Sequence, residues 1–308
     1  MRRFIKKYPA KKILFFASYA VVGLVLIAFL SFLYLRATLP SVDQIINREV
    51  SQSTKIYDRT GTVLLYEISG GEQRTVVPFE QIPQHLKDAT VAIEDQNFYN
   101  EPAFDWLAIL RALMMDALHR KIVQGGSTIT QQLAKNAFLN PERTVIRKAK
   151  ELILAIELDR HYSKDQILEL YLNEIPYGAT IYGVETASES YFGKPVTDLN
   201  LAESAILAAI PRNPPYYSPW GSHPKDLMNR QRLILQKMFD LKKITEKELD
   251  VALKYKPAFL PQGRGIKAPH FVMAVQEYLT QKYGQDLVAK GGLKVITTLD
   301  WDMQQIAE

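Results

Sequence analysis

The chain has no cysteine. That excludes disulfides, thiol nucleophiles and thiolate metal sites, and leaves the redox compartment open. Histidine is scarce: His85, His119, His161, His223 and His270 are scattered without ligand-like spacing, which argues against a zinc site. Repeats with a period of roughly 20 to 50 residues are absent, and so are low-complexity tracts. One further absence is local. Residues 13–35, ILFFASYAVVGLVLIAFLSFLYL, carry no charge at all.

An uncharged run of that length crosses a hydrocarbon core of about 30 Å as a helix. Before it stand Arg2, Arg3, Lys6, Lys7, Lys11 and Lys12. The positive-inside rule places this leader, residues 1–12, in the cytoplasm and everything after Arg36 on the outer face of the membrane. A cleaved signal peptide is the alternative, but the apolar run exceeds the usual core of such a peptide and no clear small-x-small cleavage site follows. The net charge of +5 owes much to the leader, so it reports topology and predicts no nucleic-acid partner. With 308 residues, 47% hydrophobic and 23% charged, the chain is able to bury a sizeable core.

Residues 36–80 read as a juxtamembrane segment. From Thr54 to Pro78, β-branched and aromatic residues alternate around DRTG and SGG turns, which predicts a hairpin or small sheet. Beyond Ile82 apolar residues recur at three and four, with Pro or Gly at NPER, IPYG, FGKP and PRNPPYYSPWG, so residues 81–256 read as one helical domain. The stretch FDWLAILRALMMDALHRK sets Leu107, Leu110, Met114 and Leu118 at helical spacing. It fits an ordinary core-facing helix, or one lying partly in the outer leaflet, which Trp106, the methionines, Arg120 and Lys121 would suit.

Three stretches carry chemistry. VAIEDQNFYNEPAFDW, residues 91–106, sets Glu94 and Asp95 inside apolar and aromatic surroundings. GGSTITQQLAKN, residues 125–136, offers a flexible joint and then Thr128-x-x-Gln131, a capping box that opens a helix. Gln131, Gln132, Lys135 and Asn136 follow in a cluster, and backbone N–H groups at that helix start, with Lys135 one turn on, suit a phosphate. In ERTVIRKAKELILAIELDR, Arg143, Arg147, Lys150 and Glu151 recur at three and four, so a basic stripe surrounds one carboxylate. A solvated face laced with ion pairs is one reading. Beside the Lys135 cluster, the other is a pyrophosphate cradle, with Arg giving bidentate contacts and Lys point charge.

IEDQNF, GGSTITQQLAKN, RTVIRKAKELILAIELDR, QILELYLNEIPYG with YGVETASESYFGK, and LAAIPRNPPYYSP resemble, in order and spacing, the five motifs of the family 51 peptidoglycan glycosyltransferases. These are the glycan-polymerising domains of class A penicillin-binding proteins and of monofunctional transglycosylases. The resemblance spans about residues 55–255. It implies a mainly α, lysozyme-like domain with an N-terminal transmembrane helix and a small β-hairpin near the membrane, held on the outer face of a bacterial plasma membrane. It also implies polymerisation of lipid II into β-1,4-linked glycan with release of undecaprenyl pyrophosphate. The implied partners are lipid II, the growing glycan strand, membrane lipid and other proteins of wall synthesis.

Carried over by position, the resemblance makes Glu94 the general base, with Asp95 and Phe98 in the same motif, and Glu151 the second catalytic glutamate. Lys135, Arg143, Arg147, Lys148 and Lys150 are the basic positions that hold the pyrophosphate, with a divalent cation, Mg2+ or Mn2+, as the implied cofactor. Ser127, Thr128, Gln131 and Gln132 are the polar wall of the cleft. Asn173, counted with the substrate-binding set, and Gly178 match the fourth motif, read as support. An inverting displacement needs a base on one face of the sugar and leaving-group stabilisation on the other, which agrees with this division of labour.

Two departures bear on the reading. Glu101-Pro102-Ala103 stands where the family pattern has His-x-Gly, which predicts a stiffer and more negative loop beside Glu94. A catalytically weakened, membrane-anchored scaffold is therefore one alternative. A lysozyme-like lytic hydrolase is another, opposed by the basic stripe, since a hydrolase has no pyrophosphate to hold. Residues 257–308 resemble the linker that starts a transpeptidase region, so the chain reads as a portion of a bifunctional protein or a shortened relative. Ser222-His-Pro-Lys225 matches S-x-x-K, but S-x-N and K-T-G are absent, and no β-lactam-binding activity is expected.

Overall fold

The computed structural model describes residues 51–100, 127–139, 144–262 and 266–307, together with positions 15, 18, 19, 22, 23, 26, 30 and 33–39. The expected membrane span, the 104–121 helix, the 101–103 departure and Arg143 fall wholly or mostly outside these residues. Among the described residues no helix is long and apolar enough to cross a membrane.

The predicted hairpin forms. β1 (Thr54–Tyr57) pairs antiparallel with β2 (Leu64–Ile68), with an irregular register between Ile56 and Tyr57. The DRTG turn closes because the Asp58 carboxylate accepts the backbone N–H groups of Thr62 and Val63 at 3.2 and 3.1 Å, while Gly61 takes φ +73°. The short β3 (Gln73–Arg74) pairs in parallel with β4 (Ile181–Tyr182).

Residues 257–308 do more than the linker expected of them. They supply β5 (Lys294–Ile296), which lies parallel to β1 and completes a sheet of order β2-β1-β5. α9 (Pro269–Tyr283) and α10 (Gln285–Lys290) cover that sheet, and Val272, Leu279 and Val288 join Ile56, Leu65 and Ile68 in a small core of its own. α11 (Trp301–Ala307) follows. The hairpin and the C-terminal segment are one unit.

The larger core is helical, as expected. α6 (Leu201–Ala209), LAESAILAA, is polar only at Glu203 and Ser204, and every residue from Ala202 to Ala209 is buried, which fits a helix enclosed by others. α1 (Gln84–Glu94) and α7 (Pro224–Asp240) pack on it. α2 (Ile129–Phe138) lies between α3 (Val145–His161) and α4 (Lys164–Glu174). Side-chain caps fix several of these starts: Thr128, Thr144 and Ser163 each accept the backbone N–H three residues on. α5 (Val184–Phe192) begins at Gly183, whose φ of +76° and approach to Asn173, where a Cβ would come within 2.8 Å of the carbonyl oxygen, leave room only for glycine. α8 (Glu246–Lys254) closes the bundle beside α6 and α7.

Candidate active site

α1 ends at Glu94, and Asp95 leaves the helix with φ −161° and ψ 80°. This puts the acidic pair against the N-terminus of α2. The Asp95 carboxylate accepts the Ile129 backbone N–H at 3.2 Å, one of the donors that a helix start leaves unpaired, so Asp95 splices α1 to α2. Glu94 turns the other way. Its Oε2 accepts from Gln132 Nε2 at 2.7 Å, and its Oε1 faces Arg230 Nη2 at 3.5 Å. Gln132 is held in turn by Tyr171, whose hydroxyl donates to Gln132 Oε1 at 3.2 Å. Arg230, almost wholly buried, donates its Nε to the Ala209 carbonyl at 3.0 Å, which anchors the guanidinium to the end of α6.

One position earlier on α2, Gln131 serves a second cluster. Lys148 Nζ donates to Gln131 Oε1 at 3.2 Å, to Ser127 Oγ at 2.9 Å and to Glu151 Oε1. Glu151 is 2% exposed and also accepts from Arg147 Nη1 at 3.1 Å. Both its oxygens are thus committed to cations three and four residues back on α3. Adjacent glutamines of a single helix therefore connect Glu94 and Glu151 into one continuous polar surface. Lys135 lies within the field of both carboxylates. Partial desolvation is the largest influence on it and holds its ammonium below the ordinary lysine value, with Arg147 and Lys148 pushing the same way against Glu151 and Glu94.

Most of the expected site residues meet here: Glu94, Asp95, Ser127, Thr128, Gln131, Gln132, Lys135, Arg147, Lys148 and Glu151. Lys150 is not part of this set of contacts. Two others point elsewhere. Phe98 is buried in the helical core, edge-on to Tyr99 and under the Lys164 ammonium. Asn173 is also buried, and its amide is spent on backbone: Nδ2 donates to the carbonyls of Val77 and Glu169 at 2.9 and 3.0 Å, and Oδ1 accepts the Val77 N–H at 3.0 Å. Asn173 braces the strand-to-helix passage and does not line the cleft. Asn173→Ala is expected to lower stability by ~3 kcal/mol, because it orphans both backbone groups of Val77, with the loss read from the denaturation midpoint.

Sequence reasoning missed Arg230 and Tyr171. A signal for Arg230 was present: in α7 the buried positions are Leu227, Arg230, Gln231, Ile234, Leu235 and Met238, so an arginine interrupts an apolar stripe at core spacing. Among the described residues no three metal-ligating side chains converge. A cavity of about 890 Å³ lies between the β1–β2 hairpin, Phe192–Pro195 and Trp301, and no residue of the acidic and basic clusters lines it.

The arrangement is a carboxylate held by neutral and cationic donors next to a cation cluster organised by a second carboxylate. A family model described as Transglycosylase matches residues 61–239, and the chain belongs to that family, glycosyltransferase family 51. Among its relatives, penicillin-binding protein 1A of Aquifex aeolicus is 43% identical over 258 residues, which covers 83% of this chain and 35% of the relative. Penicillin-binding protein 2D of Bacillus subtilis is 41% identical over 265 residues, 84% of this chain and 38% of the relative. A crystal structure of penicillin-binding protein 1A from Haemophilus influenzae aligns with 79% of this chain and 26% of its own, at 25% identity and TM-score 0.43. The chain thus spans little more than a third of the length of these two curated relatives.

Proposed function

We propose that the chain is a membrane-anchored peptidoglycan glycosyltransferase that polymerises lipid II. The observation that carries this is the continuity from Glu94 through Gln132 and Gln131 to Lys148 and Glu151, which sets a proton acceptor and a cation cluster on one surface. Glu94 takes the proton from the acceptor sugar's 4-hydroxyl as that oxygen bonds to the donor's anomeric carbon. The anomeric bond to the diphosphate breaks with inversion, and its electron pair leaves on undecaprenyl pyrophosphate. Lys135, Arg147 and Lys148 offset the charge that develops there, and Arg143 and Lys150 are the further basic positions that the family resemblance carries over.

A divalent cation would take its ligands chiefly from the diphosphate, since both oxygens of Glu151 and both of Glu94 already accept from side chains of the protein. The ion would screen the diphosphate charge when bound. None of the steps above passes through it.

The anchor reading rests on the uncharged 13–35 run and on Phe15, Tyr19, Val22, Leu26, Leu30 and Leu33, which are helical and exposed, an arrangement that lipid would cover. Arg36 at its outer end pairs with Glu157 of α3 at 3.0 Å, which brings the membrane side to the helix that bears the cation cluster. The basic leader puts the N-terminus in the cytoplasm and the catalytic surface outside.

The test is incubation of detergent-solubilised protein with labelled lipid II, with and without a phosphoglycolipid inhibitor of the moenomycin type, scored for polymer on a gel. Polymer that the inhibitor abolishes supports the proposal. Consumption of preformed glycan would favour the hydrolase, and absence of turnover the scaffold. Because the Lys135 ammonium is held low, it loses its charge earlier on the alkaline side than an ordinary lysine. KM for lipid II should therefore begin to rise on the alkaline side at a lower pH in the parent protein than an ordinary lysine would set, and stay flatter in Lys135→Arg, whose guanidinium keeps its charge.

A further inference from the structure

Two tyrosines sit beside Glu94 with no part in the chemistry described so far. Tyr171 and Tyr177 are both fully buried, and the charge of Glu94 acts on both. They differ in what their hydroxyls meet. Tyr171 donates to Gln132 Oε1 at 3.2 Å, whereas the Tyr177 hydroxyl has no hydrogen-bond partner among the described residues.

The difference matters because a glutamine amide is two-faced. Half a turn about its last bond exchanges a donor NH2 for an acceptor oxygen. With the oxygen turned toward Glu94, two acceptors would face each other at hydrogen-bond distance in a half-buried place, and the carboxylate would lose its support. A buried hydroxyl on the far side of the amide opposes that, because on a flip it would have to accept from Nε2 and its own proton would lose the Gln132 oxygen. Tyr171 supplies that hydroxyl. Burial, and then the nearby Glu94 charge, hold its phenol far above the ordinary range, so it keeps its proton at any working pH.

We propose that Tyr171 is a positioning residue: its hydroxyl pins the Gln132 amide with Nε2 toward Glu94 Oε2, and so fixes the orientation in which the carboxylate meets the acceptor hydroxyl. This rests on the reading of Glu94 as the base. The pinned order is Tyr171 hydroxyl to Gln132 oxygen, then Gln132 nitrogen to Glu94 oxygen, at 3.2 and 2.7 Å. A tyrosine that only filled core volume would act through its ring and would not need this acceptor.

The test uses the detergent-solubilised full chain and lipid II, with Tyr171→Phe, Gln132→Ala, the double variant, Tyr177→Phe and Glu94→Gln. Tyr171→Phe should lower kcat about tenfold with KM changed less than about twofold, since orientation and not ground-state binding is lost. In the Gln132→Ala background the same change should have no further effect, and Tyr177→Phe should leave kcat unaltered. Equal losses from Tyr171→Phe in both backgrounds, no loss in the parent background, or a matching loss from Tyr177→Phe would overturn the proposal. Glu94→Gln separates the two levels. If that variant polymerises within about tenfold of the parent, the general-base reading fails; if it is slowed about a thousandfold while Tyr171→Phe is silent, only the positioning role fails.

Discussion

Glu94→Gln is expected to slow polymerisation by about a thousandfold while leaving lipid II binding within a few-fold of the parent. The change keeps shape and removes only the ability to accept a proton. Glutamine still offers an oxygen to Gln132 Nε2, and Arg230 remains tied to the Ala209 carbonyl, so the wall of the cleft should not rearrange. On the proposed reading the diphosphate end of the substrate binds on α3 and around Lys135, where Glu94 is the smallest of the influences on the ammonium. Turnover of labelled lipid II gives the rate, and anisotropy of a fluorescent lipid II gives the affinity. A variant that polymerises within about tenfold of the parent would sink the assignment of Glu94.

Glu151→Ala is expected to act on stability and catalysis together. Its carboxylate is nearly inaccessible and accepts from Arg147 and Lys148 at once. Without it two like charges face each other across the vacated space. Breaking a buried pair costs on the order of 3–5 kcal/mol, and Lys148, 43% exposed, is able to swing into water, so the lower end, ~3 kcal/mol, is expected. The spacing of the cations is lost as well, and kcat/KM should fall about a hundredfold, because fixed charges stabilise a leaving group better than mobile ones. Added salt should recover part of the stability by screening the repulsion and none of the activity. An unchanged melting curve for Glu151→Ala would show that the α3 cations do not depend on it.

What could be read from the sequence was what local chemistry decides. Thr128 announced the start of α2, the Asp58 turn announced the hairpin, and the spacing of Arg147 and Glu151 announced an ion-paired stripe, because caps, turns and helical neighbours act within four residues. Arg230 meets Glu94 across 136 positions of chain, and no periodicity reports a contact of that span. Tyr171 looked like any core aromatic, since only its hydroxyl, and only after packing, finds Gln132. Asn173, read as support and also counted with the substrate-binding set, braces backbone, and Phe98 of the same motif as Glu94 packs in the core, because a motif records residues that hold a site as well as those that line it.

The parallel pairing of β1 with β5 also governs the order of assembly. Thr54 and Leu293, 239 residues apart, are hydrogen-bonded neighbours. During synthesis the hairpin therefore emerges early and waits with one edge bare until the 239 residues from Thr54 to Leu293 have been added, while helices between them are free to collapse first. A ribosome stalled before Lys294 would leave Ile56, Leu65 and Ile68 without part of their cover, and that nascent chain should be the form most readily trapped by chaperones or cut by proteases.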